Sequence, residues 1–371
     1  MKNIYKNFMY IVYLVFSVLL FDFIFGQTAI EIIEEVKKRD KPSSKSYFKE
    51  HPIYHHELIR NYKNIVSYSS FKFLMCTDQH SFRVNCYKKN LNKSTKNLGT
   101  VFLGDSMTEG VGLNFEDTFF GIIEDKYDNL VFTNLSASSY SFSIYLAKLN
   151  HLINSKEFKI KKVVLIPDIS DIQDEATKYD LDENNIVKEM QDKISFKDDN
   201  QHTDNEKLSY GFLRKFPVIF NLLRNLYYYD SLKPIYRYKY EYERANWTYN
   251  TSSPGYGELG VQKSIKKSIK LLEKTYDLLK KNNIELSVVI FPQPSQILYD
   301  KQESLHVEIF RNFCEKKCVE FINLYPVFFK YKNSLSDNEI IRKFYLKGDM
   351  HFNKEGNKTI AKKIIEDVNF K

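Results

Sequence analysis

From Leu98 onward, short apolar runs rich in β-branched and aromatic residues alternate with longer segments of helical periodicity. The runs are 99–104, Leu130-Val131-Phe132-Thr133-Asn134, Val163-Val164-Leu165-Ile166, Leu286-Ser287-Val288-Val289-Ile290-Phe291 and Val319-Glu320-Phe321-Ile322-Asn323-Leu324. The helical patterns fall near 116–126, 140–154, 261–282, 301–317 and 354–368. Runs this short and this uniformly apolar predict strands covered on both faces. A chain that alternates such strands with amphipathic helices buries both by laying helices on the two sides of a parallel sheet. The expectation is therefore an α/β fold, three layers α/β/α about a five-stranded parallel sheet. Right-handed crossovers then bring every strand's carboxyl end to one rim.

The interval from Ile166 to Leu286 is far longer than a crossover needs, which predicts an insertion at about 172–258. Within it, Tyr210 to Tyr229 is an apolar helical pattern broken by Pro217. Its Arg214, Lys215 and Arg224 argue against a membrane span and for a surface-lying or core-packed helix. Tyr236, Tyr238, Tyr240 and Tyr242 then alternate with charged residues, so an extended backbone would put four phenols on one face. Such a face can cover the domain's own core, the commoner use, or line a cleft where sugar rings stack.

Phe8 to Phe25 is an almost unbroken apolar stretch of about 18 residues, the length of a minimal membrane span. Ile24-Phe25-Gly26 makes a poor cleavage site, so an uncleaved single-pass anchor is expected in preference to a cleaved signal. Lys2 and Lys6 precede it, although Lys37, Lys38, Arg39 and Lys41 follow. The expected topology has a cytoplasmic amino terminus and an extracytoplasmic body, periplasmic or extracellular. The organisation read from the chain is an anchor over 1–28, a stalk and small cap over 29–96, and a main domain over 97–371.

The net charge is +8, but lysines are interspersed with acids instead of gathered in a block, so no nucleic-acid partner is expected. Cys76 and Cys86 could close a small loop in an oxidising compartment. Cys314 and Cys318, at helical spacing, read as two buried apolar thiols. Neither pair has zinc-site spacing, and no metal or cofactor is implied.

The first apolar run ends in Gly104-Asp105-Ser106-Met107-Thr108-Glu109-Gly110-Val111-Gly112. A serine where a buried strand stops lies at the rim where α/β folds place reactive groups. Near the carboxyl end stands Gly348-Asp349-Met350-His351-Phe352-Asn353. A serine hydroxyl is a weak nucleophile until a base takes its proton, and imidazole suits that role near neutral pH. A carboxylate can fix the ring's tautomer and stabilise the imidazolium. Residues two apart in an extended segment project to one side, so Asp349 and His351 can face one cleft, with Asn353 capping the last helix. Ser106, Asp349 and His351 are thus the candidate nucleophile, orienting acid and general base.

Each motif alone is weak, since a turn serine is usually a helix cap and Asp-x-His is usually a surface loop. Their order at two strand–helix junctions is what gives them force. Asp105 and Glu109 read as loop structure, and Asp171 and Asp174 as loop or helix-start acids. His55 and His56 are adjacent and should point apart in a strand, whereas His151 and His306 read as packing residues. Gly110 and Gly112 lack the lysine of a phosphate loop.

The order of strand, Gly-Asp-Ser and late Asp-x-His resembles the SGNH/GDSL hydrolase family over roughly 97–371, minus the insertion. Gly104-Asp105-Ser106 matches the family's first block. Asn134-Leu135-Ser136-Ala137-Ser138-Ser139 matches the second, with Ser139 where a glycine is usual. Asp168-Ile169-Ser170-Asp171 falls at the third, with Ser170 in place of an asparagine. The resemblance implies an SGNH/flavodoxin-like fold and an oxyanion hole made by the backbone N–H of Ser106, the backbone N–H at Ser139 and the side chain of Ser170. The one-residue spacing of Asp349 and His351 is similar to that of sugar-modifying branches. It implies serine-dependent removal of an O-acyl group, such as O-acetyl, from a carbohydrate. The alternatives are an O-acyltransferase modifying a cell-surface polysaccharide and a non-catalytic carbohydrate-binding module on the same fold. The partners implied are an acylated carbohydrate and, through the anchor, a membrane.

Overall fold

The computed structural model describes residues 2–39, 47–69, 71–87, 96–127, 129–190, 215–220, 222 and 244–370. It divides into two units, Met1–Ser44 with Ser195–Pro234, and Lys45–Ile194 with Ile235–Lys371.

In the larger unit, two antiparallel hairpins come first: β1 (Phe48–His51) with β2 (His55–Leu58), and β3 (Lys63–Tyr68) with β4 (Phe71–Cys76). The apolar runs follow as β5 (Asn97–Gly104), β6 (Phe132–Asn134) and β7 (Lys159–Ile166). A small hairpin of β8 (Tyr179–Leu181) and β9 (Val187–Glu189) is followed by β10 (Glu285–Ile290) and β11 (Glu320–Asn323). The five long-range strands form one parallel sheet in the order β11-β10-β7-β5-β6. Val101, Phe102 and Leu103 of β5 and Val163 to Leu165 of β7 are fully buried, as their uniform apolarity requires.

Helices Phe142–Asn154, Gly260–Lys281 and Leu305–Cys314 lie together on one face, where Phe142 stacks near Phe310 and Tyr276 meets Phe313 edge-on. Phe119–Lys126, Lys354–Asp367 and Asp337–Phe344 cover the other. The architecture is thus the three-layer α/β/α arrangement expected from the alternation. β5 leads to β6 on one side, while the chain re-enters at β7 on the other, so the ends of β5 and β7 flank the topological switch point.

Several local differences have plain causes. The 301–317 pattern is the helix Leu305–Cys314, which starts where Ser304 Oγ accepts from the N–H groups of His306 and Val307, and a separate short helix, Pro294–Tyr299, precedes it. Asp337–Phe344, which the periodicity does not reveal, begins with a capping box between Ser336 and Glu339. Cys314 and Cys318 are joined as a disulfide, correcting the expectation of two thiols: the helix ends at Cys314, and the following turn brings the Cα atoms to 4.6 Å. Cys76 and Cys86 are also bonded. The segment read as stalk and cap holds the two hairpins, whose Val66, Phe73 and Met75 form a separate apolar cluster with Val111.

In the smaller unit, Lys2–Arg39 is one helix, and Tyr5–Ile32 is long and apolar enough to cross a membrane, a test that a signal sequence also passes. Asp22, one of two acids in this stretch, is buried and accepts hydrogen bonds from the N–H groups of Val218 and Ile219 at 2.9 and 2.8 Å. It therefore caps the short helical turn that follows Pro217. The tyrosine alternation at 236–242 lies outside the described residues.

The rim beside the switch point depends on Gly104. A Cβ there would stand 2.6 Å from the carbonyl oxygen of Ile166 and 2.3 Å from Thr108 Oγ1. Gly104→Ala must push β5 away from β7, and we expect a loss of about 1–3 kcal/mol in urea unfolding. Unchanged stability would mean that this rim is looser than its packing indicates.

Candidate active site

Asp105 and Ser106 begin the loop after β5, and Ser106–Glu109 forms a single helical turn. Asp105 caps it, Oδ1 accepting from Met107 N–H at 2.9 Å, so the serine is fixed at the start of the turn. Gly110 closes the turn in the left-handed region at φ 87°, where glycine is unstrained. At the other end of the chain, a bridge between Tyr345 and Phe352 closes the loop that carries Asp349 and His351. Asn353 Oδ1 accepts from the N–H groups of Glu355 and Gly356, anchoring that loop to the last helix.

The two loops meet. Ser106 Oγ lies 2.8 Å from His351 Nε2, and His351 Nδ1 lies 2.5 Å from Asp349 Oδ1. The carboxylate also accepts from the His351 backbone N–H at 2.9 Å. With Nδ1–H given to Asp349, Nε2 of the neutral ring accepts the hydrogen bond of the Ser106 hydroxyl. Burial alone would raise the Asp349 carboxyl, but the hydrogen bond and charge of His351, with help from the Tyr68 hydroxyl, bring it below the usual carboxylate range. Tyr68 comes from the tip of the β3–β4 hairpin, and its ring meets the imidazole edge-on at 4.9 Å.

A second acceptor competes for the serine proton. Asp105 Oδ2 is 3.1 Å from Ser106 Oγ. Asp105, Asp168 and Asp171 are buried with carboxylate oxygens within 4.8 Å of one another, close enough for a shared cation or for retained protons. Asp168 accepts from Gln293 Nε2 and from the backbone and hydroxyl of Ser170. Asp171 accepts from the Tyr145 hydroxyl and the Asp168 N–H. Burial, then the charge of Asp168, pushes the Asp105 carboxyl up to about 7. Burial, then Asp105, raises Asp171 as well. When Asp105 is protonated it can donate to Ser106 Oγ, leaving the serine proton to His351.

The positions named for the oxyanion hole fare differently. Ser139 is exposed and has φ 64°, so a serine adopts the left-handed backbone that glycine would take freely. Among the described residues, the N–H groups of Ser106 and Ser139 have no protein acceptor. Ser170 is 1% exposed and its hydroxyl donates to Asp168 at 2.5 Å, so its one proton is committed there. Of the acids read as structural, Asp105 and Asp171 join the cluster, while Asp174 pairs with Arg244 and Lys178. His306 is buried against the Tyr325 hydroxyl and Trp247, and His151 packs beside Tyr54. His55 and His56 do not point apart: φ of 72° at His55 leaves the extended region, and their Nδ1 atoms lie 2.7 Å apart.

Comparison with solved structures finds similar folds. One is a member of the lipolytic protein G-D-S-L family from Veillonella parvula, 13% identical, covering 72% of this chain and 96% of that one at a TM-score of 0.39. Another is the psychrotrophic esterase EstA from a Pseudoalteromonas species, 14% identical, covering 72% and 95% at 0.33. A third is a GDSL-like lipase from Bacteroides thetaiotaomicron, 11% identical, covering 76% and 92% at 0.35. No family model and no curated protein matches the chain. Each is a likeness only, and the chemistry rests on the contacts described above.

Tyr68 and Gln293 carry no motif that marks them in the sequence. Gln293 follows β10 at the same rim as Ser106, a positional signal, whereas nothing local points to Tyr68.

The acid cluster has a consequence for stability. A carboxyl whose value is raised on folding contributes stability that is complete below its unfolded value and lost as pH rises through the folded one. Between about pH 5.5 and about pH 8.5 the wild type should therefore lose on the order of 2 kcal/mol more than Asp105→Asn in chemical unfolding. Parallel curves for the two proteins would show that Asp105 is ionised throughout.

Proposed function

We propose that this chain is a serine-dependent hydrolase of acyl esters, acting on an O-acyl group, most simply O-acetyl, carried by a carbohydrate. The observation that carries the reading is the unbroken hydrogen-bonded path from Asp349 through His351 to Ser106. Ser106 Oγ adds to the ester carbonyl carbon as His351 Nε2 takes its proton. The tetrahedral oxyanion is met by the N–H groups of Ser106 and Ser139. Collapse expels the sugar alkoxide, which takes the proton back from His351 and leaves an acyl-serine. Water then adds with His351 again as base, the acid is released, and the proton returns to Oγ.

The carbohydrate part of the proposal is supported by the Asp-x-His spacing. An extracytoplasmic placement on a single amino-terminal anchor is supported by the Tyr5–Ile32 helix and by two disulfides, which persist in oxidising compartments.

The purified full chain should hydrolyse p-nitrophenyl acetate and release acetate from an O-acetylated polysaccharide. Ser106→Ala should lower kcat by at least ~10⁴-fold. Equal rates for wild type and Ser106→Ala would remove the enzyme reading. Turnover of the aryl ester with no acetate released from polysaccharide would remove its carbohydrate half.

A further inference from the structure

Glu109 is fully buried one turn beyond the nucleophile, yet the reaction sequence makes no use of it. A carboxylate so placed is costly unless its oxygens are satisfied. Here Oε2 accepts from both the backbone N–H and the hydroxyl of Ser138, at 2.6 and 2.8 Å, and Oε1 accepts from the Tyr47 hydroxyl at 2.8 Å. Burial pushes the Glu109 carboxyl up, and the neighbouring Arg83 guanidinium acts most strongly against that. Arg83 itself donates to the carbonyls of Glu109, Gly110 and Leu113. The helical turn that presents Ser106 is thereby tied at its far end to the loop 136–140.

The other side of Ser138 is held as well. His56 Nε2 lies 2.7 Å from the Ser138 carbonyl oxygen. Burial keeps this imidazole neutral by lowering its value to about 4. Since a carbonyl only accepts, Nε2 carries the proton, and Nδ1 accepts from His55 Nδ1–H. The Tyr140 hydroxyl donates to the His56 carbonyl at 2.8 Å, so the contact is braced from both sides.

The Ser138 carbonyl and the Ser139 N–H belong to one peptide plane, and in a trans peptide they point in opposite directions. Fixing the carbonyl on His56 therefore fixes the direction of the Ser139 N–H. A hydrogen bond to the carbonyl also polarises that peptide and strengthens its N–H as a donor. Glu109 fixes the preceding peptide through the Ser138 N–H. The two contacts together determine a backbone conformation that Ser139, at φ 64°, would not choose alone.

We infer that Glu109 and His56 are positioning residues for the oxyanion hole, holding the Ser138–Ser139 peptide so that its N–H is presented to the developing oxyanion. The inference rests on the serine-hydrolase reading and gives the amino-terminal hairpins a part in catalysis. Neither residue touches substrate, and both act through Ser139.

The test measures kcat and KM for p-nitrophenyl acetate, with thermal unfolding, for wild type, Ser106→Ala, Glu109→Ala, Glu109→Gln, His56→Ala and the Glu109→Ala/His56→Ala double variant. Glu109→Ala and His56→Ala should each lower kcat by about 10²-fold with KM within about threefold of wild type. Glu109→Gln, whose amide oxygen can still accept from Ser138, should restore most of the loss. The double variant should fall by much less than the product of the singles, because both act on one peptide. Unchanged kcat in both alanine variants would overturn the inference, as would losses confined to KM or an equal fall in Glu109→Gln. Should Glu109→Ala not fold, kcat of His56→Ala decides the matter by itself: a fall supports the inference and an unchanged value overturns it. A wild type no faster than Ser106→Ala would instead sink the hydrolase reading itself.

Discussion

The contact between Ser106 Oγ and His351 Nε2 joins residues 245 positions apart, and the rest of the site is arranged around it. It exists because two loops end at one sheet rim. β5 delivers the serine through a capped turn, and the bridge between Tyr345 and Phe352 delivers the imidazole just before the last helix. Nothing local to either loop requires the other. Their meeting is a property of the parallel sheet, whose connections all start from the same edge.

The site also shows how buried charge is managed. Three carboxylates behind the serine cannot all ionise in a buried space, so burial and mutual repulsion favour protonated forms of Asp105 and Asp171. The serine oxygen then sits between a base, His351, and an acid. Glu109 is treated differently, with hydroxyl and amide donors at its oxygens and a guanidinium beside it. The left-handed backbone at Ser139 costs ~1–2 kcal/mol that a glycine would avoid. The hydrogen bonds of Glu109 and His56 to Ser138 offset that cost while fixing the direction of the Ser139 N–H.

The sheet is legible in the sequence because most of its strands hold a short run of consecutive apolar residues, such as Val101 to Leu103 and Val163 to Ile166, and the period and length of such runs identify them. The serine and the Asp-x-His pair are legible as a resemblance in their order, although only the serine directly follows a strand and Asp349 and His351 come after the helix Asp337–Phe344. The amino-terminal hairpins are not. Their strands mix His, Lys and Glu with aromatics, and their roles appear only through contacts such as Tyr47 to Glu109 and Tyr68 to the His351 imidazole. His56 escapes a reading by strand alternation because φ of 72° at His55 breaks that rule. The hydroxyl of Ser170 is expected at the oxyanion, but its neighbour Asp168 is the nearer and stronger acceptor.

In the proposed reaction Ser106, oriented by His351, and the N–H groups of Ser106 and Ser139 form one acyl-transfer site. The most direct measurement is a crystal structure of the chain after reaction with a fluorophosphonate. The phosphorus is expected on Ser106 Oγ, with a phosphonyl oxygen about 2.7–3.1 Å from both N–H groups. The Ser170 hydroxyl is expected to stay on Asp168. An adduct on another side chain, or an oxygen turned away from Ser139, would contradict the proposed reaction.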